Sequence, residues 1–294
     1  YISGKDLPED YDKLKSIVNE YMIFGRVTPE QKKMIVKALK EDKTVGMIGD
    51  GVNDILALKE SDCGIALANG VSAARNVAEV VLTDADFGIL PDIVNEGRRV
   101  VNNIERVSSM YLIKTIYSFI LSILSIILAH EYPFYPVQLS LIGAFCVGIP
   151  SFFLALEPNY TKVKKGFMVK VFRNALPAGL CVFMNIFFII MISNIFKVDF
   201  DSLRFVVVGA TGYLNLYLLY KICSPLTLIR KILLVACSIS FVLSMILFRE
   251  FLLLSIPSVW GIILMILLIL ADNYLVWLFT LIYDFIVKLF GGKK

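Results

Sequence analysis

Residues 49–54 read Gly49-Asp50-Gly51-Val52-Asn53-Asp54 and concentrate the chemistry of this 294-residue chain. Two carboxylates on a glycine-bearing turn after an apolar run can hold a hard divalent cation near a phosphate. Mg²⁺ takes oxygen ligands and usually keeps waters, so one or two carboxylates plus phosphate oxygens suffice. Gly49 and Gly51 permit tight backbone approach to such a group. The same residues equally suit an Asx-rich turn that opens a helix, and residue types alone do not choose. Upstream, Lys32 falls near the start of an expected helix, where ammonium and helix dipole together favour an anion. Its other reading is a solvated helix lysine.

The elements that must position these residues follow from the flanking pattern. Thr28-Pro29-Glu30-Gln31 predicts a helix start, with Thr28 as cap, Pro29 in the first turn and Gln31 completing a capping box. The helix is expected to run to about Lys40. Residues 44–48 are a short apolar run bounded by turn residues, as in a buried parallel strand. A helix near Ile55, strands at 64–67 and 80–82 and a helix at 72–78 complete an alternation. That pattern predicts a parallel sheet covered by helices, with chemistry at the carboxyl ends of strands, where Asp50 sits. From about Pro91 the chain reads as helix through Arg98, Arg99, Asn102, Asn103, Glu105 and Arg106 into the first long apolar run. A helix continuous there would couple the two parts mechanically.

Averages of 57% hydrophobic residues and a net charge of +4 conceal a break near residue 105. Before it the chain is mixed; after it come apolar runs long enough to cross a bilayer, which takes ~20 residues. Six spans are expected, at about 108–129, 136–156, 175–196, 204–222, 231–248 and 252–271. Asp272 and Asn273 interrupt the last, and an amphipathic tail continues to Phe290. Basic residues mark the cytoplasmic side. Lys162, Lys164, Lys165, Lys170 and Arg173 follow the second span, Lys221, Arg230 and Lys231 the fourth, and Lys288, Lys293 and Lys294 the last. The opposite loops hold only Lys197, Arg204 and Arg249, so both termini are expected in the cytoplasm. His130, the only histidine, falls in a short external loop and is expected to be solvated. Cys63, Cys146, Cys181, Cys223 and Cys237 are scattered, which indicates neither a disulfide framework nor a thiolate metal site. The chain begins at Tyr1 and reads as a fragment of a longer one.

Gly49 to Asp54, followed by Ala57-Leu58, resembles the hinge motif of P-type ATPases within the haloacid dehalogenase superfamily. Arg26-Val27-Thr28-Pro29-Glu30-Gln31-Lys32 resembles the family segment whose lysine contacts the phosphoryl group. The resemblance implies that Asp50 ligates the catalytic Mg²⁺, that Asn53 and Asp54 support the phosphorylation site, and that Lys32 joins them, with Gly49 and Gly51 shaping the turn. Ile48 stands where the family usually has Thr, and no Pro occurs at Ile55 or Leu56. Asp42-Lys43-Thr44 resembles the start of the family's phosphorylated motif, but it continues Val45-Gly46 and precedes a strand, and reads as a charged turn. The phosphorylated aspartate, the nucleotide-binding domain and the actuator domain are therefore expected on other parts of the pump, and this stretch alone is expected to be inactive.

The resemblance thus implies a partial α/β haloacid dehalogenase-like (Rossmann-like) domain at 1–90, a helical stalk at 91–107, an α-helical membrane domain of six transmembrane helices at 108–290 and a cytoplasmic tail at 291–294. It implies Mg²⁺ and ATP as cofactors. The implied partners are a transported cation, the lipid bilayer and the remainder of the same pump, with no nucleic acid. Six spans after the hinge argue against the heavy-metal branch. Gly97-Arg98-Arg99-Val100-Val101-Asn102-Asn103-Ile104 and Lys114-Thr115-Ile116-Tyr117-Ser118 resemble a bacterial cation-pump branch to which calcium transport is attributed. Pumps for magnesium, protons or monovalent cations, or a non-catalytic membrane module, are the alternatives. Pro136-Val137-Gln138-Leu139 resembles the start of the sixth helix of animal calcium pumps. Their ligand positions fall here on Gly143, Cys146 and Val147, so an animal-type pair of calcium sites is not expected. Lys114, Thr115, Ser118 and Ser122 in the first span, with Asn185 and Asn215 later, are the polar candidates for a transport path. Lys114 either snorkels to the interface or, if buried, acts as a built-in counter-ion.

Overall fold

The computed structural model describes residues 1–84, 86–127, 129, 131–164 and 166–290. His130, Lys165, Lys293, Lys294 and the whole 291–294 tail lie outside the described residues. The chain divides into two units, Tyr1–Ile93 and Val94–Lys294.

In the first unit, β1 (Ile2–Ser3) pairs in parallel with β2 (Phe24–Gly25), and α1 (Tyr11–Ile17) lies between them in sequence. Leu14 and Val18 bury against Ile35 and Ala38 of α2 (Pro29–Lys40). The start of α2 is closed as expected. Thr28 Oγ1 accepts from the Gln31 N–H at 3.2 Å, and Gln31 Oε1 accepts from the Thr28 N–H at 2.9 Å; a cap of this kind contributes about 1 kcal/mol. A second, three-stranded parallel sheet has the order β3 (Gly46–Gly49), β4 (Cys63–Leu67), β5 (Val80–Leu82). Ile48 stands opposite Ile65, and Ala66 opposite Val81. The crossovers α3 (Ile55–Glu60) and α4 (Ser72–Val77) bury Ala57, Leu58 and Ala74 completely. β3 starts two residues later than the expected 44–48 because Asp62 claims Val45: its carboxylate accepts from the Val45 N–H at 2.9 Å.

The second unit is helical. α5 runs unbroken over Leu90–Ile127, 38 residues or about 57 Å at the helical rise, and takes in residues 91–107. α6 (Pro136–Ile142) passes through a π-helical turn (Gly143–Gly148) into α7 (Ile149–Leu156). There follow α8 (Phe167–Phe196), α9 (Phe200–Ile222), α10 (Leu228–Leu247) and α11 (Val259–Phe290). By length and composition six helices among the described residues can cross a membrane. Their core centres on α8 and α9, where Ile186, Ile189, Val206, Val207 and Leu214 are fully buried. On α10 and α11, Ile232, Ile239, Leu267 and Leu270 stay exposed, as lipid-facing positions require.

Three expectations are corrected. The last span begins at Val259, not 252, and passes through Asp272 and Asn273 without interruption. Both polar side chains are satisfied sideways: Asn185 donates to Asp272, and Asn273 Oδ1 accepts from the Tyr213 hydroxyl at 3.0 Å. α8 begins at Phe167, well before 175, and contains Pro177, which neighbouring helices allow in a membrane span. Lys170 and Arg173 are therefore helical, paired with Glu105 at 2.9 Å and Asp284 at 2.6 Å. Arg204 is not a loop residue. It is buried in α9, bonded to Asp201 at 2.5 Å and to the Pro133 carbonyl at 3.0 Å.

Candidate functional site

β3 ends at Gly49, so Asp50 begins the turn at its carboxyl end. A single 3₁₀ turn (Val52–Asp54) leads from there into α3. Gly49 is demanded by space, since a Cβ there would stand 2.5 Å from Asp54 Cβ. Asp54 points back across the turn. Its Oδ1 accepts from Lys32 Nζ at 2.6 Å and its Oδ2 from the Gly51 N–H at 3.4 Å. The side chains are partly buried, Asp54 13% and Lys32 33% exposed. The capping box that fixes the start of α2 thus also fixes the lysine that meets the hinge turn.

Asp50 and Asn53 are exposed. The Asp50 backbone is pinned from β4's side: its carbonyl accepts from the Val71 N–H at 2.9 Å, and a Cβ on Gly70 would come within 2.8 Å of that oxygen. Asn69-Gly70 was the overlooked signal, a turn dipeptide directly after a strand. The two carboxylates therefore divide the work. Asp54 is committed to Lys32, and Asp50 presents its carboxylate outward. Among the described residues no three acidic, histidine or cysteine side chains cluster to form a metal cage. One open carboxylate still fits Mg²⁺, which is bound through one or two carboxylates, waters and phosphate oxygens. Asp50 would hold the ion, which would neutralise phosphate charge there. Asp42-Lys43 lies between α2 and β3, where Lys43 Nζ donates to Asn19 Oδ1 at 2.6 Å, a charged turn as read.

In the helical unit the transport-path candidates of the first span, Lys114, Thr115, Ser118 and Ser122, all lie on α5. Lys114 Nζ lies 3.5 Å from where a Gly143 Cβ would stand, against the π-helical turn. Thr115 is exposed and donates to the Tyr111 carbonyl at 3.3 Å. The Ser118 carbonyl accepts from Ser122 Oγ at 2.8 Å. Gly143, Cys146 and Val147, the positions matching animal calcium ligands, all lie in the π-helical turn, with Cys146 and Val147 buried. Such turns gather at functional sites because they leave backbone groups out of the regular ladder.

No protein-family model matches the sequence. The chain is 40% identical over 236 residues to the "Probable cation-transporting ATPase exp7" of Streptococcus pneumoniae, an overlap of 76% of this chain and 30% of that one. It is 46% identical over 192 residues to the "Calcium-transporting ATPase CtpE" of Mycolicibacterium smegmatis, covering 62% of this chain and 24% of the relative. The chain belongs to the P-type cation-transporting ATPase family. A "Calcium-transporting ATPase" of Bacillus subtilis is 31% identical over 167 residues, 56% of this chain and 19% of its own length. The chain spans less than a third of the length of each of these relatives. For this P-type ATPase chain, the three-stranded sheet with its crossovers is part of a haloacid dehalogenase-like domain, and the six apolar helices are those of a multi-pass membrane protein.

Two further clusters escaped the sequence. Glu157 accepts from Arg106 at 2.8 Å and from Arg230 through both oxygens at 2.8 Å. Asn103 donates to the Ala155 and Glu157 carbonyls at 3.0 and 2.8 Å. These groups lie more than fifty residues apart along the chain, and no local spacing announces them. Asp272, bonded by Asn185, is the other.

Proposed function

We propose that the complete protein is an ATP-driven pump for inorganic cations, calcium first among them, working through an aspartyl-phosphate intermediate. The observation that carries the reading is the meeting of two motifs distant in sequence: Lys32 reaches Asp54 at 2.6 Å beside the exposed Asp50 carboxylate. An acidic group for Mg²⁺ and an ammonium for a phosphoryl oxygen, side by side at the end of a parallel strand, suit phosphoryl transfer, in which positioning and charge neutralisation dominate. β3 pairs with β4 on one edge only among the described residues, which leaves the other edge for strands bearing the phosphorylated aspartate. Calcium is supported by the mycobacterial and Bacillus relatives, which are named calcium-transporting ATPases. In this reading residues 1–90 complete the phosphorylation domain and 91–107 the stalk. The six spans carry the cation, and loop charges put both termini in the cytoplasm.

ATPase activity of the complete polypeptide in lipid, measured against calcium, magnesium, potassium and pH, tests it. Calcium-stimulated, Mg²⁺-dependent turnover with an acid-stable, hydroxylamine-sensitive phosphoenzyme is expected. Stimulation by another cation moves the cargo assignment, and absence of a phosphoenzyme leaves the non-catalytic membrane module.

A further inference from the structure

Asp272 stands near the middle of the 31-residue span Val259–Leu289, fully buried, with 0% of its surface exposed. Both its oxygens face one group: Asn185 Nδ2 lies 2.9 Å from Oδ1 and 3.1 Å from Oδ2. Asn185 itself is 3% exposed. Leu268 and Val276, one turn away on α11, are buried and apolar. On α8, Cys181 is buried one turn from Asn185. On α9, Tyr213 donates to Asn273, the residue after Asp272. The other charged residues on these helices are Lys170, Arg173, Asp201, Arg204, Lys221, Asp284 and Lys288, with Arg173 paired to Asp284 and Arg204 to Asp201. Asp284 is twelve residues further along α11, about 18 Å at the helical rise. No arginine, lysine or histidine among the described residues pairs with Asp272.

A carboxylate carries about four acceptor sites and full charge. One amide group cannot satisfy that charge where no water reaches, and buried carboxylates without a cation take up a proton instead. The amide presents its N–H side, which disfavours a metal cation and leaves the proton as the occupant. We propose that Asp272 and Asn185 form a proton-binding site inside the membrane domain. A carboxylate oxygen of Asp272 forms an O–H bond with a proton delivered by hydronium, water is the product, and Asn185 holds the resulting neutral acid in place. The site joins α8 to α11 and uses no residue of the phosphorylation site or of the Lys114 region, so it stands or falls separately from the pump reading.

Infrared spectroscopy of the complete protein in lipid vesicles at neutral pH tests it. Wild type is expected to show a protonated-carboxyl C=O band, sensitive to deuterium exchange, that Asp272→Asn lacks. Asn185→Leu is expected to keep the band and shift it to higher frequency, as a carboxyl freed from its donor does. This second variant decides the matter if Asp272→Asn does not fold. Loss of an ionised-carboxylate band in Asp272→Asn, a wild-type band that changes on adding calcium, or no shift in Asn185→Leu would each overturn the proposal.

Discussion

At Gly49 the space left for a side chain is already taken by Asp54, so the turn tolerates no methyl group without moving the Lys32 partner. Gly49→Ala is expected to displace Asp54 and slow phosphoenzyme formation, though every charged group remains. Lys32→Ala removes the ammonium itself. Loss of one preorganised electrostatic donor costs on the order of 10²-fold in rate, and rapid-quench measurement of phosphoenzyme formation reads it. Asp50→Asn keeps the shape of the turn and removes the charge that would hold Mg²⁺. Mg²⁺-dependent turnover is expected to vanish, and turnover equal to wild type would remove Asp50 from the metal site. The sequence made these residues legible because chemistry and backbone signal coincide there. It concealed the division of labour between Asp50 and Asp54, since spacing does not say which carboxylate a lysine from another helix will take.

Elements were legible where their signals are local. The capping box at Thr28 set the start of α2, and Val80–Leu82 forms as expected. Helix ends in the second unit were less legible because hydropathy sees apolar runs and stops at charges. Lys170 and Arg173 looked like loop residues until Glu105 and Asp284, far along the chain, paired with them. The Glu157 cluster is the clearest case, for it ties α5 and α10 to the end of α7 through one carboxylate. Glu157→Gln leaves two guanidinium groups facing an amide, with Arg230 nearly buried. A loss of roughly 2 kcal/mol follows, below the full cost of a buried pair because the cluster is partly solvated; thermal unfolding of the complete protein measures it. In the first unit, the Lys15 ammonium and then the Tyr11 hydroxyl hold the Glu41 carboxyl below its ordinary 4.5. A lowered acid stabilises the fold above its ordinary value and loses that contribution as pH falls through the lowered one. The protection of α1 amides, read as exchange relative to the intrinsic rate at each pH, is therefore expected to fall as pH drops below 4.5 in wild type and to lose that step in Glu41→Gln.

For the molecule as a pump, the question is how much charge each cycle moves, and Lys114 bears on it directly. Lys114 belongs to α5, six residues into the span expected from 108 and thirteen before the helix ends at Ile127. Its Nζ lies beside Gly143, where the π-helical turn interrupts the regular carbonyl ladder. In the proposed pump a fixed positive charge there would repel a cation bound nearby and would take the place of one carried back on the return step. Both effects would reduce the number of cations per cycle and make external counter-ions unnecessary. Reconstituted vesicles report the charge moved per ATP through a potential-sensitive dye, alongside direct cation uptake. Lys114→Ala is expected to accept an additional positive charge, or to become dependent on a counter-ion supplied from the far side, while wild type is not. Identical charge per ATP in the two proteins, with no new counter-ion dependence, would assign Lys114 to packing against the π-helical turn alone.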